Sequence, residues 1–440
     1  MERIAILGTG MAGYGAAYRL QQEGMPSTTY DKNEYYGGHT ASFKHASGFI
    51  FDDGPHLSFT KDERIQRLFA EIVDNKFEVL YFQPNNYWQG CWIKHPAICN
   101  LHGLPTDLVV KCLRDFIAAQ NDQRAPIHTY ADWLLASYGE TFAKTFPMEY
   151  GFKYHTTPAE NMSTDWLGPR LYRAKLEEVL LGALSAVTPD VHYAGHVRYP
   201  TYNGFVSYLS LFPRLTELQL GHQLVRLNPK TQELHFANGT VVKYEGVVSS
   251  IPLPDLIPMI VGAPPDVVEA ANKLAWTSCV LVNLGINRPD LSEAQLTYFY
   301  DRDICMSRVS FPHMFSPHTA PPGCGSIQAE VYFSQKYRPL QSAPEDYIAP
   351  VIADLKRCGV LREDDQIVHT DAHVSRYAQV IFDLDRADAL ATVHGYLDDV
   401  GVAYCGRYGD WLYTWTDEAF MSGENAAQKT LERLRVTKSC

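Results

Sequence analysis

Several common signals are missing from this 440-residue chain. It has no stretch of about 18 uninterrupted apolar residues, so no membrane-crossing helix is expected. Basic residues are the minority, 38 Lys and Arg against 50 Asp and Glu, for a formal charge of -12. Such a surface repels phosphate backbones and argues against a nucleic-acid partner. The 9 cysteines are scattered singly from Cys91 to Cys440, with no Cys-x-x-Cys and no His pair at zinc spacing. Reduced thiols and no metal centre are the expectation. No basic segment followed by an apolar run opens the chain, which points to a cytoplasmic protein. Neither an internal repeat nor a low-complexity linker occurs. With 46% hydrophobic and 20% charged residues, disorder, a collagen-like fibre and a coiled coil are excluded and a large core is expected.

What is present begins at Arg3. Arg3-Ile-Ala-Ile-Leu7 reads as a buried parallel strand, followed by Gly8-Thr-Gly10-Met11-Ala12-Gly13 and a helical stretch, Tyr14 to Glu23. A second strand, Ser27-Thr-Thr-Tyr-Asp31, ends in an acid and is followed by Lys32. Strand, glycine turn, helix, strand and acid make a dinucleotide fingerprint. Gly8 makes the tight turn, Gly10 admits a pyrophosphate and Gly13 permits close helix–strand packing. The helix N-terminus offers free N–H groups to the anion. Asp31 suits ribose hydroxyls and disfavours a 2′-phosphate, so NADP is the poorer candidate.

Two further segments favour FAD over NAD. Gly37-Gly38-His39 follows Asp31 closely, where a second glycine pair lets the chain cross the pyrophosphate. Near the C-terminus stand Gly406-Arg407 and Asp417-Glu-Ala419-Phe-Met-Ser-Gly-Glu-Asn-Ala-Ala427, a helix start with Asp417 at its N-cap. A cofactor that reaches both chain ends is long. Between these ends, residues 102–190 read as mainly helical, Leu234 to Val242 as a hairpin turning at Asn238-Gly239, and 275–385 as an antiparallel sheet with one wet or ligand-facing side. The expected fold is α/β: a Rossmann-like FAD-binding domain with a parallel sheet, formed discontinuously by 1–75, 195–270 and 395–440. It is interrupted by a mainly helical insert, 76–194, and an antiparallel-sheet substrate domain, 271–394.

With these landmarks in place, the chain resembles the FAD-dependent amine oxidase, protoporphyrinogen oxidase and UDP-galactopyranose mutase superfamily, and most of all the mutase-like members. The resemblance implies that Gln223-Leu224-Val-Arg-Leu227 reads the adenine, with Leu224 at the contact. Phe146-Pro-Met-Glu-Tyr150-Gly-Phe-Lys-Tyr-His155 has the spacing of the mutase Phe-x-x-x-Tyr-x-x-Lys-x-Trp segment. It implies a uracil grip by Phe146 and Tyr150, with His155 in the place of the Trp that approaches the sugar. Arg170, Arg308 and Tyr413 match residues that hold the substrate diphosphate, although Phe311 replaces the mutase Glu after Arg308. In Phe51-Asp-Asp-Gly54-Pro-His56-Leu-Ser-Phe59-Thr60, His56 matches one histidine of the flavin-side Gly-x-His-x-x-His-Thr loop and Phe59 replaces the other. A mutase Tyr just before the segment like Tyr199-Pro-Thr-Tyr-Asn-Gly-Phe205 has no counterpart here.

The implied activity is that of an FAD enzyme acting on a nucleotide-diphosphate sugar, with reduced flavin N5 attacking the anomeric carbon during pyranose–furanose isomerisation. Arg170, Arg308 and Tyr413 would stabilise the departing diphosphate, and His56 would tune the flavin edge. The alternative is an FAD-dependent oxidoreductase that takes hydride from a sugar, amine or alcohol.

Overall fold

A computed structural model describes residues 4–121, 126–168, 171–191 and 195–439. Five strands form a parallel sheet in the order Val402–Tyr404, Gly246–Ser249, Ile4–Leu7, Ser27–Tyr30 and Glu217–Gln219. The first strand is central and buried along its whole length, which is why it reads as an unbroken apolar run. Its side chains alternate between two cores. Ile4 and Ile6 face the helices, packing with Tyr14, Ala17, Leu20, Phe420 and Leu431. Ala5 and Leu7 face the opposite side, with Leu224, Leu253 and Leu256.

The helices on that first side are Met11–Gln22 and Thr416–Ser439, one from each end of the chain. They meet backbone to backbone. A Cβ at Gly423 would lie 1.8 Å from the Ala12 carbonyl oxygen, and one at Gly15 would lie 2.0 Å from that of Phe420. Gly13 packs as closely on the turn below it, where a Cβ would come within 2.0 Å of the Gly8 carbonyl oxygen.

A second sheet has seven strands in the order Ile367–Val380, Trp276–Ile286, Gly325–Ser334, Arg308–Ser310, Leu296–Phe299, Asn85–Trp88 and Cys91–Lys94. Neighbours run antiparallel except Leu296–Phe299 with Asn85–Trp88. Of the two alternatives for the second side of this sheet, wet or ligand-facing, the central strand excludes the wet one. Gly325–Ser334 is buried at every residue. One of its faces packs under the helix Ile348–Arg357 through Val351 and Leu355, and the other turns toward Tyr154. The edge strand Ile367–Val380, by contrast, largely alternates.

Helices Thr106–Asn121, Tyr130–Tyr138, Glu140–Thr145, Pro147–His155 and Leu176–Leu184 form a third layer around Phe116, Leu134 and Phe142. The stretch 76–194 is less purely helical than expected. Asn85–Trp88 and Cys91–Lys94, joined by Gln89-Gly90, form a hairpin at the edge of the seven-stranded sheet, with Tyr87 in that sheet's core. Phe77–Tyr81 pairs with His196–Pro200. These strands are too short for their two-residue period to stand out beside a helical stretch. Asn238-Gly239 does turn a hairpin, between Glu233–Phe236 and Val241–Lys243.

The close helix contact yields a test. Gly423→Ala should force the two terminal helices apart, cost about 1–3 kcal/mol and lower the melting temperature. Gly395→Ala, in the helix Arg386–Val400 where an added Cβ meets nothing within 4 Å, should be neutral or stabilising.

Candidate active site

The parallel sheet ends at a cavity of about 510 Å³, whose floor is the glycine turn Gly8-Thr9-Gly10. The helix Met11–Gln22 begins here with Gly10 at its N-cap, no side chain capping it and no acid in its first turn. Its first N–H groups are therefore left for an anion. A Cβ at Gly10 would have only Gly37 O and Gly38 Cα near it, each at 3.9 Å, so it would stand in the cleft between the two glycine turns. This cradle fits a pyrophosphate. At one end the Asp31 carboxylate accepts from Thr9 N–H at 2.9 Å, Thr9 Oγ1–H at 2.6 Å and Asn33 N–H at 2.9 Å. A carboxylate has about four acceptor positions, so one remains for a ribose hydroxyl. Lys32 and Leu224 line the same end.

The other end is formed by His39, His56, Arg407 and Ala419, with the strand stretch 374–377 opposite. His56 Nδ1 donates to the Gly54 carbonyl at 2.8 Å, which leaves Nε2 as an acceptor. Burial, helped by the nearby Arg407 charge, lowers its pKa to about 4 and keeps the ring neutral. Arg407 reaches the carbonyls of Ala378 at 3.2 Å and Thr414 at 2.6 Å, tying the outer strand to the loop before the closing helix. Its guanidinium lies 5.4 Å from the centre of the Tyr413 ring.

A second cavity of about 290 Å³ adjoins the first. The loop at 55–57 separates them, with His56 lining the first cavity and Pro55 and Leu57 the second, while Trp415 lines both. Its walls are rich in phenols, among them Tyr150, Tyr154, Tyr298, Tyr300 and Tyr413. Tyr150 stacks on Tyr154 with ring centres 5.4 Å apart, and the Tyr154 hydroxyl lies 3.0 Å from that of Tyr413. Arg308 is bound by Glu330, with Nε to Oε1 and Nη2 to Oε2 both at 2.8 Å. Glu330, 1% exposed, also accepts from the Tyr332 hydroxyl. Burial opposes the charge on Arg308, but Glu330 outweighs it and keeps the guanidinium protonated.

The antiparallel register aligns these groups. Tyr298 stands opposite Arg308, Arg308 opposite Glu330, Glu330 opposite Leu281, and Leu281 opposite His373. Facing positions share one side of a sheet, so a single row runs from the phenol-lined cavity to His373, which contacts Asp53 in the wall of the first cavity.

The model for flavin-containing amine oxidoreductases matches residues 11–431. This chain belongs to that family. It is an FAD-dependent enzyme, and the cleft between the two glycine turns leaves room for a pyrophosphate. Among solved structures, a reduced UDP-galactopyranose mutase superposes with TM-score 0.92 over 98% of this chain and 96% of that one, at 23% identity. A putative protoporphyrinogen oxidase from Exiguobacterium sp. 255-15 superposes with TM-score 0.75 over 98% and 99%, at 15% identity. Among curated proteins, the 4,4'-diapophytoene desaturase of Staphylococcus haemolyticus is 38% identical over 79 residues, 17% of this chain and 16% of that protein. The match thus spans about a sixth of that relative. No helix among the described residues is long and apolar enough to cross a membrane.

In this flavin-dependent amine oxidoreductase family member, most residues singled out from sequence lie around the two cavities. Gly8, Gly10, Met11, Ala12, Asp31 and Lys32 line the first, as do Gly38, His39, His56, Leu224, Gly406, Arg407 and Ala419. Gly13 does not, because it packs against the Gly8 carbonyl. Asp417 is not the N-cap but lies in the first turn of the closing helix, off the cavity wall. Tyr150, His155, Arg308 and Tyr413 line the second cavity. Phe146 does not reach it. It precedes Pro147, the first residue of the helix, and is wholly buried against Trp88, Phe142 and Tyr300. Arg170 lies outside the described residues. Sequence reasoning missed Tyr298, Glu330 and Tyr332, which only strand register brings beside Arg308, and Asp53, visible in the quoted loop next to His56.

His155 is 4% exposed, and its Nδ1 has no hydrogen-bond partner among the described residues. Burial lowers its pKa to about 3. Between the ordinary value of 6.5 and about 3 the unfolded chain therefore binds the proton and the folded chain does not, so this group's contribution destabilises the fold as pH falls. His155→Phe should remove that term. Its stability relative to wild type should rise by about 1.4 kcal/mol per pH unit as pH falls from 6 to 4 in urea-unfolding series. A constant difference would contradict a neutral buried imidazole.

Proposed function

We propose that this flavoenzyme acts on a nucleotide-diphosphate sugar seated in the phenol-lined cavity and isomerises its ring without net oxidation, as a UDP-galactopyranose mutase does. The observation carrying this reading is the Arg308, Tyr154 and Tyr413 group where the second cavity meets the first. Nε and Nη2 of Arg308 face Glu330, and Nη1 is the arm we assign to a phosphate oxygen. The hydroxyls of Tyr413 and Tyr154 would donate to the same diphosphate as negative charge builds on it. When bound and reduced, FAD supplies a nucleophilic nitrogen for the anomeric carbon. Tyr150 and Tyr298, whose rings meet at 90° and 5.3 Å, would exclude water and seat the base. His155, neutral at working pH, would hydrogen-bond a sugar hydroxyl without adding charge.

The rival reading, hydride transfer from a neutral substrate to FAD, draws on the same pair of residues. Glu330 cancels the Arg308 charge, and the rest of the wall is aromatic, which also suits an uncharged guest. Desaturases are among the sequence relatives.

The flavin spectrum separates the two. UDP should perturb it saturably, amines should not bleach it, and UDP-galactopyranose under dithionite should isomerise with no net electron transfer. Tyr413→Phe should weaken the UDP response about tenfold, close to 1.4 kcal/mol. Rapid bleaching by an amine with no response to UDP would overturn the nucleotide-sugar reading.

A further inference from the structure

At the flavin end of the first cavity, three segments converge on one carboxylate that the mechanism above does not use. Asp53 Oδ2 lies 3.0 Å from His39 Nδ1, and Oδ1 lies 3.1 Å from His373 Nε2. The Ser375 hydroxyl donates to Oδ2 at 3.3 Å. His39 follows the second glycine turn, Asp53 precedes His56, and His373 and Ser375 belong to the outer strand Ile367–Val380. His39, Asp53 and Ser375 line the cofactor cavity itself.

An ionised carboxylate only accepts, so both ring nitrogens facing Asp53 carry protons. That fixes the tautomers. The open position of a neutral His373 is Nδ1, which lies 3.7 Å from the Asp371 carboxylate, a group that favours a second proton there. We propose that the His39–Asp53–His373 bridge is a proton-uptake unit of the flavin site, taking one proton onto His373 Nδ1 when the bound FAD is reduced. Two electrons from the reductant and one proton from solvent pass to the flavin, and a further proton passes from water to the imidazole, so no protein bond is broken. The proton offsets part of the negative charge added to the flavin.

The surroundings agree. Burial works against a charge on His373, but the hydrogen bond and charge of Asp53 and the charge of Asp371 outweigh it, and its pKa is raised above 6.5. Burial also raises the Asp53 pKa, yet the bonds and charges of the two histidines carry it well below the carboxylate range. The other charged or titratable groups facing the bridge are few. The Asp52 pKa, raised mainly by burial, is raised further by the Asp53 charge, which Tyr35 and Cys279 also feel. His39 meets the edge of Tyr408 at 5.5 Å. Neutral His56 and the Arg407 cation sit beside the bridge, and Arg407 makes the same end of the cavity favour electrons at every pH. The bridge adds a pH dependence of its own to that preference. This inference needs bound FAD but not a nucleotide sugar in the second cavity.

The test is the midpoint potential of the flavin in the purified holoprotein, measured by dithionite titration at a series of pH values. Wild type should show a change of slope above pH 6.5, the ordinary histidine value. His373→Gln should abolish it. Asp53→Asn and the milder Asp371→Asn, two residues from His373 on the same face of the strand, should each move it down, Asp53→Asn by about one pH unit. A wild-type profile with no change of slope would overturn the proposal. So would a change that stays in place in Asp371→Asn and in whichever of the other two variants retains FAD, since it would then belong to the flavin.

Discussion

The contact between the first and last helices is the constraint on which the site depends. Gly15 and Gly423 let Met11–Gln22 and Thr416–Ser439 approach until carbonyls occupy the space a methyl group would need. No polar bond could replace this contact, because its content is dispersion between backbones at a distance only glycine permits. It carries the start of the closing helix, with Thr416 and Ala419, to the cavity that Gly8–Gly10 opens. A cofactor cavity shared by the two chain ends follows from that approach.

The second sheet then does for the second cavity what the helices do for the first. Its register sets Tyr298, Arg308, Glu330, Leu281 and His373 in one row beneath both cavities. A guanidinium and a carboxylate in adjacent strands satisfy one another in a place where either alone would be costly. The pair keeps a full cation next to the phenols of Tyr154 and Tyr298 without leaving an unbalanced charge in the core. The same sheet brings His373 to Asp53.

Much of this was legible beforehand for an identifiable reason. The glycine turn, its flanking strands and Asp31 are close in sequence, and local spacing alone places them. The Asn238-Gly239 hairpin was readable for the same reason. The hairpin at 85–94 was not, because its partner strand, Leu296–Phe299, lies some two hundred residues away and its own period is too short to register. Phe146 misleads in a different way. Its four-residue spacing from Tyr150 suggests a shared face, but it precedes the helix at Pro147, and its ring is drawn among Trp88, Phe142 and Tyr300.

The amino-acid order by itself determined the FAD-binding α/β class, the pyrophosphate cradle and the family, because each rests on contacts between near neighbours or on glycine where no side chain fits. Only the tertiary structure decided that Arg308 is matched by Glu330, that Asp53 bridges two histidines, and that a wall of tyrosines adjoins the cofactor. They depend on contacts between segments far apart in the chain, and a shift of one residue in strand register would turn Arg308, Glu330 or His373 to the opposite face of the sheet.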